Sequence, residues 1–352
     1  MHGLTECSTI REATFYERLG SDRTKCSLCE RRCEIFAGMK GFCGTRVNVE
    51  GKLYTLVYGD LSSIVSRPIE SKPFFHYWPG STALTLSTWS CNLSCDWCQN
   101  FHLSKLEPEP AKALAFPPEK IVETAVYGGD LGLCGSFQEP TLLSEWAIPA
   151  FKTARKRRLK YCCYVSNGYM TLPVLHALCE AGLDGLKGDV KGDSRTYERF
   201  CGGADVEKVW RNACEAKKLG VHVEVVNLVV SGVSDDEETL RWVVGQHLKS
   251  VGAKVPLHFT KYSPAYRFES PPTKVEVLEW AHDLAKKEGV KYVYLGNVEG
   301  HRYESTYCAE CGEKVIGRYG PQVVKYDVTE DGKCPKCGCS VPIVGRFTKN
   351  FA

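Results

Sequence analysis

Cys91, Cys95 and Cys98 lie in one short stretch, CNLSCDWCQN, separated by gaps of three and two residues. Three thiolates on one loop can close on a single four-iron cubane, and they leave one iron without a protein ligand. That open iron is where chemistry can happen. An electron-transfer cluster normally takes four cysteines, and no fourth follows here. A three-thiolate cubane, with the aromatic Trp97 just before the third cysteine, reads as one that binds a chelating ligand. The competing reading is a structural zinc loop or three buried thiols, but zinc asks for a fourth ligand. The stretch follows a β-rich run, Ala83 to Thr88, so the loop is expected at the carboxyl end of a strand.

Two further cysteine sets flank this one. Cys308-x2-Cys311 and Cys334-x2-Cys337 form two knuckles separated by twenty-two residues, four soft ligands in the order a tetrahedral zinc site uses. A zinc-ribbon-like segment is expected there, with an auxiliary iron-sulfur cluster as the chemical alternative. Its plain role is to hold together a small domain with little core; a binding role toward protein or nucleic acid is the sharper one. Near the start, Cys26, Cys29, Cys33 and Cys43 have gaps of two, three and nine. That spacing fits neither a two-knuckle ribbon nor the usual ferredoxin run, so a zinc ion and an iron-sulfur cluster both stay open. Cys134, Cys162, Cys163, Cys179, Cys201 and Cys214 lack ligand spacing and are assigned to packing, with Cys201 worth watching beside a loop.

These groups need elements to position them. At 352 residues and 43% hydrophobic, the chain is ample for one large α/β domain with small appendages. Cysteine spacing and hydrophobic pattern divide it into a cysteine-rich segment with a hairpin (1–80), a βα-repeating region (81–297) and the final two-knuckle segment (298–352). Strands are expected at Ala83 to Thr88, Gly132 to Phe137, Tyr161 to Val165, Gly185 to Asp189, His222 to Val230, Val255 to Phe259 and Tyr292 to Leu295. Helices are expected between them at Leu143 to Arg158, Pro173 to Ala181, Val206 to Leu219, Asp236 to Ser250 and Lys274 to Glu288. This alternation is that of a parallel sheet, whose functional groups gather after the carboxyl ends of the strands. There the sequence offers Glu139, Asn167 in an SNG turn, Asp189 with Lys191, and His258. A net charge of +3 requires no polyanionic partner, although the basic run Lys152 to Lys160 leaves nucleic acid open. No apolar run of membrane-spanning length occurs, and cysteines in ligand groups imply a reducing, cytoplasmic and oxygen-poor setting.

The blocks CSLCERRCEIFAGMKGFCGTR, KPFFHYWPGS, CNLSCDWCQN, FQEPTLLSEW, SNGYM, DVKG, LHFTKYSP and GNVEGHRYESTYCAECG, with a late CPKCG, cover nearly the whole chain. Together they resemble the radical S-adenosylmethionine (SAM) member of the AmmeMemoRadiSam system, a group similar to pyruvate formate-lyase activating enzymes. The resemblance implies a partial (β/α)6 barrel, a [4Fe-4S] cluster on Cys91, Cys95 and Cys98, and SAM chelating the open iron. It further implies one-electron cleavage of SAM to a 5'-deoxyadenosyl radical that abstracts hydrogen from a substrate. Glu139 then matches the acceptor for the SAM amino group, although Phe137-Gln138 stands where the group carries two glycines. Asn167, Asp189 and Lys191 match positions at the cofactor's polar ends, and His258 a residue that reaches the ribose. A low-potential electron donor is implied, and a protein substrate or AMMECR1-like and Memo-like proteins are the expected partners. The competing function of a different class is a non-catalytic zinc and iron-sulfur adaptor that binds protein or nucleic acid.

Overall fold

In the computed structural model, which describes residues 7–348, the chain forms two compact units. The first comprises Met1–Ser66, Ala83–Asp184 and Phe200–Ala204; the second comprises Arg67–Thr82, Gly185–Arg199 and Asp205–Ala352.

The first unit contains a three-stranded antiparallel sheet in the order β1-β2-β3: β1 Tyr16–Arg18, β2 Arg23–Cys26 and β3 Glu34–Phe36. A hairpin follows, β4 Arg46–Val49 and β5 Lys52–Thr55. Its turn residues Glu50 and Gly51 both have positive φ, 52° and 77°, the geometry that matches strand twist in a two-residue loop. A Cβ on Gly51 would also lie 2.5 Å from the Ser21 carbonyl oxygen. Three parallel strands form the centre of this unit: β6 Thr82–Ser87, β7 Gly132–Gly135 and β8 Tyr161–Ser166, with β7 between the other two. They are buried almost throughout, as parallel strands are when helices flank their sheet. The helices are α1 Pro118–Tyr127, α2 Ser144–Lys156 and α3 Leu172–Ala181. In α2 the buried residues Trp146, Ala147, Ala150, Phe151 and Ala154 recur at helical spacing and make one apolar face. Helix α1 escaped the sequence reading because its apolar Val126 and Tyr127 are exposed, which blurs the periodicity.

The second unit holds four parallel strands in sequential order: β9 Gly185–Val190, β10 His222–Val229, β11 Leu257–Lys261 and β12 Val293–Gly296. Helices α4 Val206–Lys218, α5 Glu237–Ser250 and α6 Val275–Lys287 alternate with them. Asp236 caps α5 by accepting from the Thr239 amide at 2.9 Å, as its place before the apolar pattern suggested. The chain closes with a three-stranded antiparallel sheet, β13 Thr306–Tyr307, β14 Lys314–Tyr319 and β15 Gln322–Tyr326. The class is therefore α/β with parallel strands, and all seven strands expected between residues 81 and 297 are present. Among the described residues, no helix is long and apolar enough to cross a membrane.

Candidate active site and metal centres

The carboxyl ends of β6, β7 and β8 converge on one set of groups. The loop after β6 carries Cys91, Cys95 and Cys98. Leu93 donates its amide to Cys91 Sγ at 3.4 Å, and Cys98 Sγ lies 3.0 Å from Ser104 Oγ. Burial and, secondarily, the nearby Glu139 charge push the Cys91 thiol well up. Cys201 is buried with its sulfur 3.6 Å from Cys95 Sγ, a neighbour that sequence spacing could not reveal.

Glu139 follows β7 and is 1% exposed. Its Oε1 accepts from the Thr141 amide at 3.0 Å, the Thr141 hydroxyl at 2.5 Å and the Ser166 hydroxyl at 2.8 Å. Its Oε2 accepts from the Asn167 amide at 2.8 Å. Burial raises its pKa, and these neutral donors offset only part of the rise. The carboxylate thus ties the end of β7 to the SNG turn after β8. Asn167 in turn points its Nδ2 at Asn92 Oδ1, 2.7 Å away, and lies 3.7 Å from Cys91 Sγ. Cys91, Glu139 and Asn167 are brought together.

Gln138, expected only as a departure from a glycine pattern, is 8% exposed, yet neither its Oε1 nor its Nε2 finds a hydrogen-bond partner among the described residues. Leaving a buried amide unsatisfied costs about 1–3 kcal/mol per group, so one donor and one acceptor stand open at this position. The residue before it, Phe137, has φ of 72°, a conformation natural to glycine and strained for a bulky side chain. Its carbonyl accepts from Asn100 Nδ2 at 2.6 Å, which links this bend to the cysteine loop.

In the second unit, Asp189 sits near the carboxyl end of β9. Burial would raise its pKa, but Lys187 and Lys191 overcome this and hold it down. Asp189 contacts Lys187 closely, and Lys191 Nζ lies 3.4 Å from its second oxygen. Asn227, late in β10, donates to the Val190 carbonyl at 3.0 Å while its buried Oδ1 lacks a partner among the described residues. The expected position of His258 needs correction. Strand β11 begins at Leu257, so His258 lies at its amino end, and Thr260 and Lys261 occupy the carboxyl end. Its Nε2 is 2.7 Å from Glu224 Oε2, and its ring stacks on Tyr294 with centroids 5.0 Å apart. Glu224 also meets His222 Nε2 at 2.9 Å and accepts from the His76 amide at 2.8 Å. This buried knot is distinct in placement from the carboxyl-end polar groups.

Cys308, Cys311, Cys334 and Cys337 come together with all four sulfurs within 4.8 Å of one another. Cys308 and Cys337 sulfurs are 3.5 Å apart, and Cys311 and Cys334 sulfurs 3.7 Å. A tetrahedral ion with metal-sulfur bonds of 2.3 Å sets its ligand sulfurs about 3.8 Å apart, so a single metal ion fits. The N-terminal cysteines Cys26, Cys29, Cys33 and Cys43 line one common pocket in the first unit. Burial pushes the Cys26 thiol up to about 12.

The parallel fold and the open three-cysteine loop define a class, and residues 87–243 match the family model described as the radical SAM superfamily. The chain therefore carries a radical SAM domain, and that domain implies an enzyme. More particularly, it is 37% identical over 338 residues to an uncharacterized protein of Methanocaldococcus jannaschii, a match that covers 95% of this chain and 100% of that one. Among solved structures it is similar to a domain of pyruvate-formate lyase-activating enzyme from Bacteroides vulgatus, with 15% identity, 47% of this chain and 98% of that chain covered, and a TM-score of 0.41. It is also similar to Streptococcus suis SuiB bound to S-adenosylmethionine, with 14% identity, 61% and 51% covered and a TM-score of 0.48. A radical SAM domain implies a [4Fe-4S] cluster and SAM.

Proposed function

We propose that the protein is a radical SAM enzyme of the AmmeMemoRadiSam type that cleaves SAM reductively and abstracts a hydrogen atom from a substrate, with a partner protein as the leading candidate. Bound at Cys91, Cys95 and Cys98, the cluster and SAM supply the 5'-deoxyadenosyl radical once a low-potential donor delivers one electron. The chain's own residues position and enclose that chemistry. Glu139 fixes the backbone of Asn167 and leaves Asn167 Nδ2 facing the cysteine loop. Gln138 can accept from the ammonium of SAM and donate to its carboxylate, which satisfies both ends of its amide.

The observation that carries this reading is the pairing of three loop thiols with a buried, unpartnered Gln138 at the carboxyl ends of adjacent strands. Anaerobically reconstituted protein, reduced with dithionite in the presence of SAM, is expected to release 5'-deoxyadenosine. Cys91→Ala, Cys95→Ala and Cys98→Ala should each abolish release. Cluster-loaded wild-type protein that forms no 5'-deoxyadenosine sinks the reading.

For the C-terminal group we propose zinc in a structural role. The core around it is small, Val315, Ile316, Val328 and Val341 with the thiols themselves, and such a core gains much of its stability from metal binding. Anaerobically purified protein is expected to carry one zinc that a Cys308→Ser/Cys334→Ser variant loses. Iron bound in its place at these four residues is the contrary result.

A further inference from the structure

We propose that Cys26, Cys29, Cys33 and Cys43 hold a second iron-sulfur cluster that passes electrons to the catalytic one. Their spacing leaves zinc and a cluster open; three observations decide between them. The first is how far apart the sulfurs lie. Among the described residues, no three of these four sulfurs lie mutually within 4.8 Å, whereas the C-terminal four all do. A single ion draws its thiolates to about 3.8 Å, but in a cubane each cysteine binds a different iron, so the sulfurs stand farther apart. In this the N-terminal set matches Cys91, Cys95 and Cys98, which also fail the closer spacing.

The second observation is a pair of buried donors. Asn92 and Arg46 both line the pocket, and they are 0% and 1% exposed. Asn92 Nδ2 and Arg46 Nε have no hydrogen-bond partner among the described residues. The rest of the Arg46 guanidinium is engaged, with Nη1 and Nη2 donating to Glu145 at 2.6 and 2.8 Å. Two stranded N–H groups at one pocket ask for an acceptor there. A cluster offers sulfide and thiolate sulfurs with net negative charge, and N–H donors to such sulfurs are a known lever on cluster potential. Arg31 and Arg32 add positive charge to the same lining.

The third observation concerns where this pocket sits. Ser90 and Asn92, the residues on either side of Cys91, are each bonded to the N-terminal segment. Ser90 Oγ donates to the Cys43 carbonyl at 2.5 Å, and Arg31 Nε donates to the Asn92 carbonyl at 2.9 Å. Glu30 donates its amide to the Tyr169 carbonyl at 3.0 Å, which docks the segment on the SNG turn as well. A path of one hydrogen bond and a few covalent bonds therefore joins Cys43 to Cys91. The redox step balances as one electron: the reduced N-terminal cluster is oxidised by one electron, the catalytic cluster is reduced by one, and a low-potential one-electron donor replenishes the first.

This inference rests on the radical SAM reading of Cys91, Cys95 and Cys98, and two variants of the full chain separate the two claims. Anaerobically reconstituted wild-type protein should bind about eight irons. The Cys91→Ala/Cys95→Ala/Cys98→Ala variant should keep about four, with a paramagnetic signal on reduction that SAM does not alter. Iron-free protein in that variant, or zinc retained at the N-terminal set, overturns the second cluster. The Cys26→Ala/Cys29→Ala variant should lose about four irons but keep a signal that SAM perturbs; a signal blind to SAM there would count against the catalytic reading instead. For the relay, that second variant should form 5'-deoxyadenosine about tenfold more slowly than wild type with reduced flavodoxin, and within about twofold with dithionite. Equal rates with flavodoxin, or equal slowing with both reductants, overturn the relay. Should the second variant fail to fold, the iron content of the first still decides whether the cluster exists.

Discussion

Glu139 and Glu224 are both buried carboxylates associated with parallel strands, one in each unit, at 1% and 0% exposure. Their acidities move in opposite directions. Burial pushes both up, and for Glu139 the hydrogen bonds from Thr141, Ser166 and Asn167 do not overcome it. For Glu224 the hydrogen bonds from His222 and His258 do, and its pKa falls well below the ordinary carboxylate value. The difference lies in what surrounds each acid. Glu139 is held by hydroxyls and backbone amides next to the cysteine loop, donors that carry no charge. Glu224 is held by imidazoles in a closed knot with Tyr294 and His76, a setting suited to holding strands together.

The largest expected effect breaks the knot. Glu224→Ala leaves His222, His258 and the His76 amide without their shared acceptor. Losing one partner of such a buried charged network costs about 3–5 kcal/mol. Chemical denaturation of the anaerobic holoprotein should show that loss. A change under about 1 kcal/mol would mean the knot contributes little.

The acid side of the stability profile sharpens the contrast. His76 is buried and held down to about 3, and burial lowers His258 as well. In the unfolded chain both take up protons near the ordinary histidine value of about 6.5, so stability is lost as pH falls below that point. Glu224 adds a second loss below 4.5, where its unfolded counterpart protonates and the folded one resists. Glu139 has the opposite sign. Its folded pKa is raised above 4.5, so it favours the folded state at low pH and the benefit fades as pH rises through the folded value. Glu224→Gln should flatten the limb below pH 4.5, and Glu139→Gln should leave that acid-side loss in place. Identical profiles for the two variants would mean that the two acids do not differ in sign.

At the catalytic loop the expected effect is on rate more than on folding. In Glu139→Gln an amide group must face the Asn167 amide donor or the Thr141 and Ser166 donors, so one of these contacts is lost. That loss is worth about 1–3 kcal/mol, and a misdirected Asn167 should slow 5'-deoxyadenosine formation by about 10- to 100-fold. A variant with wild-type kinetics would show that the carboxylate only packs.

Much of this was legible in the chain, for reasons particular to each part. The Cys91, Cys95 and Cys98 loop and the two C-terminal knuckles are local in sequence, so spacing alone located them. The seven strands and the helices other than α1 on which the β/α alternation rests announced themselves by length and periodicity; the bounds of α4 and α5 differ from expectation by one residue. His258 was misplaced because Val255 and Pro256 read as strand, although a proline that cannot donate to the ladder sits naturally just before a strand begins. The Glu224 knot was hidden because His76, His222 and His258 come from three distant stretches. An acid amid the valines of HVEVVNLV was its one visible trace. Gln138 was read as a departure from a glycine pattern, and its burial without partners has no local signature in sequence.

The smallest effect tests whether the two acids are tuned by the identity of their donors. Ser166 donates to Glu139 Oε1 and accepts from the Gly168 amide at 2.9 Å. Ser166→Ala removes one neutral donor from an acid that is already raised, so the Glu139 pKa should climb further from the ordinary value. His222→Ala removes a donor from an acid that is depressed, so the Glu224 pKa should climb back toward it. Each substitution should cost about 1 kcal/mol at neutral pH. The pH dependence of the denaturation midpoint separates them. Ser166→Ala extends the Glu139 limb toward neutral pH, and His222→Ala shortens the Glu224 limb at the acid end. If both variants alter the same limb, the tuning lies in burial alone and the choice of donor is incidental.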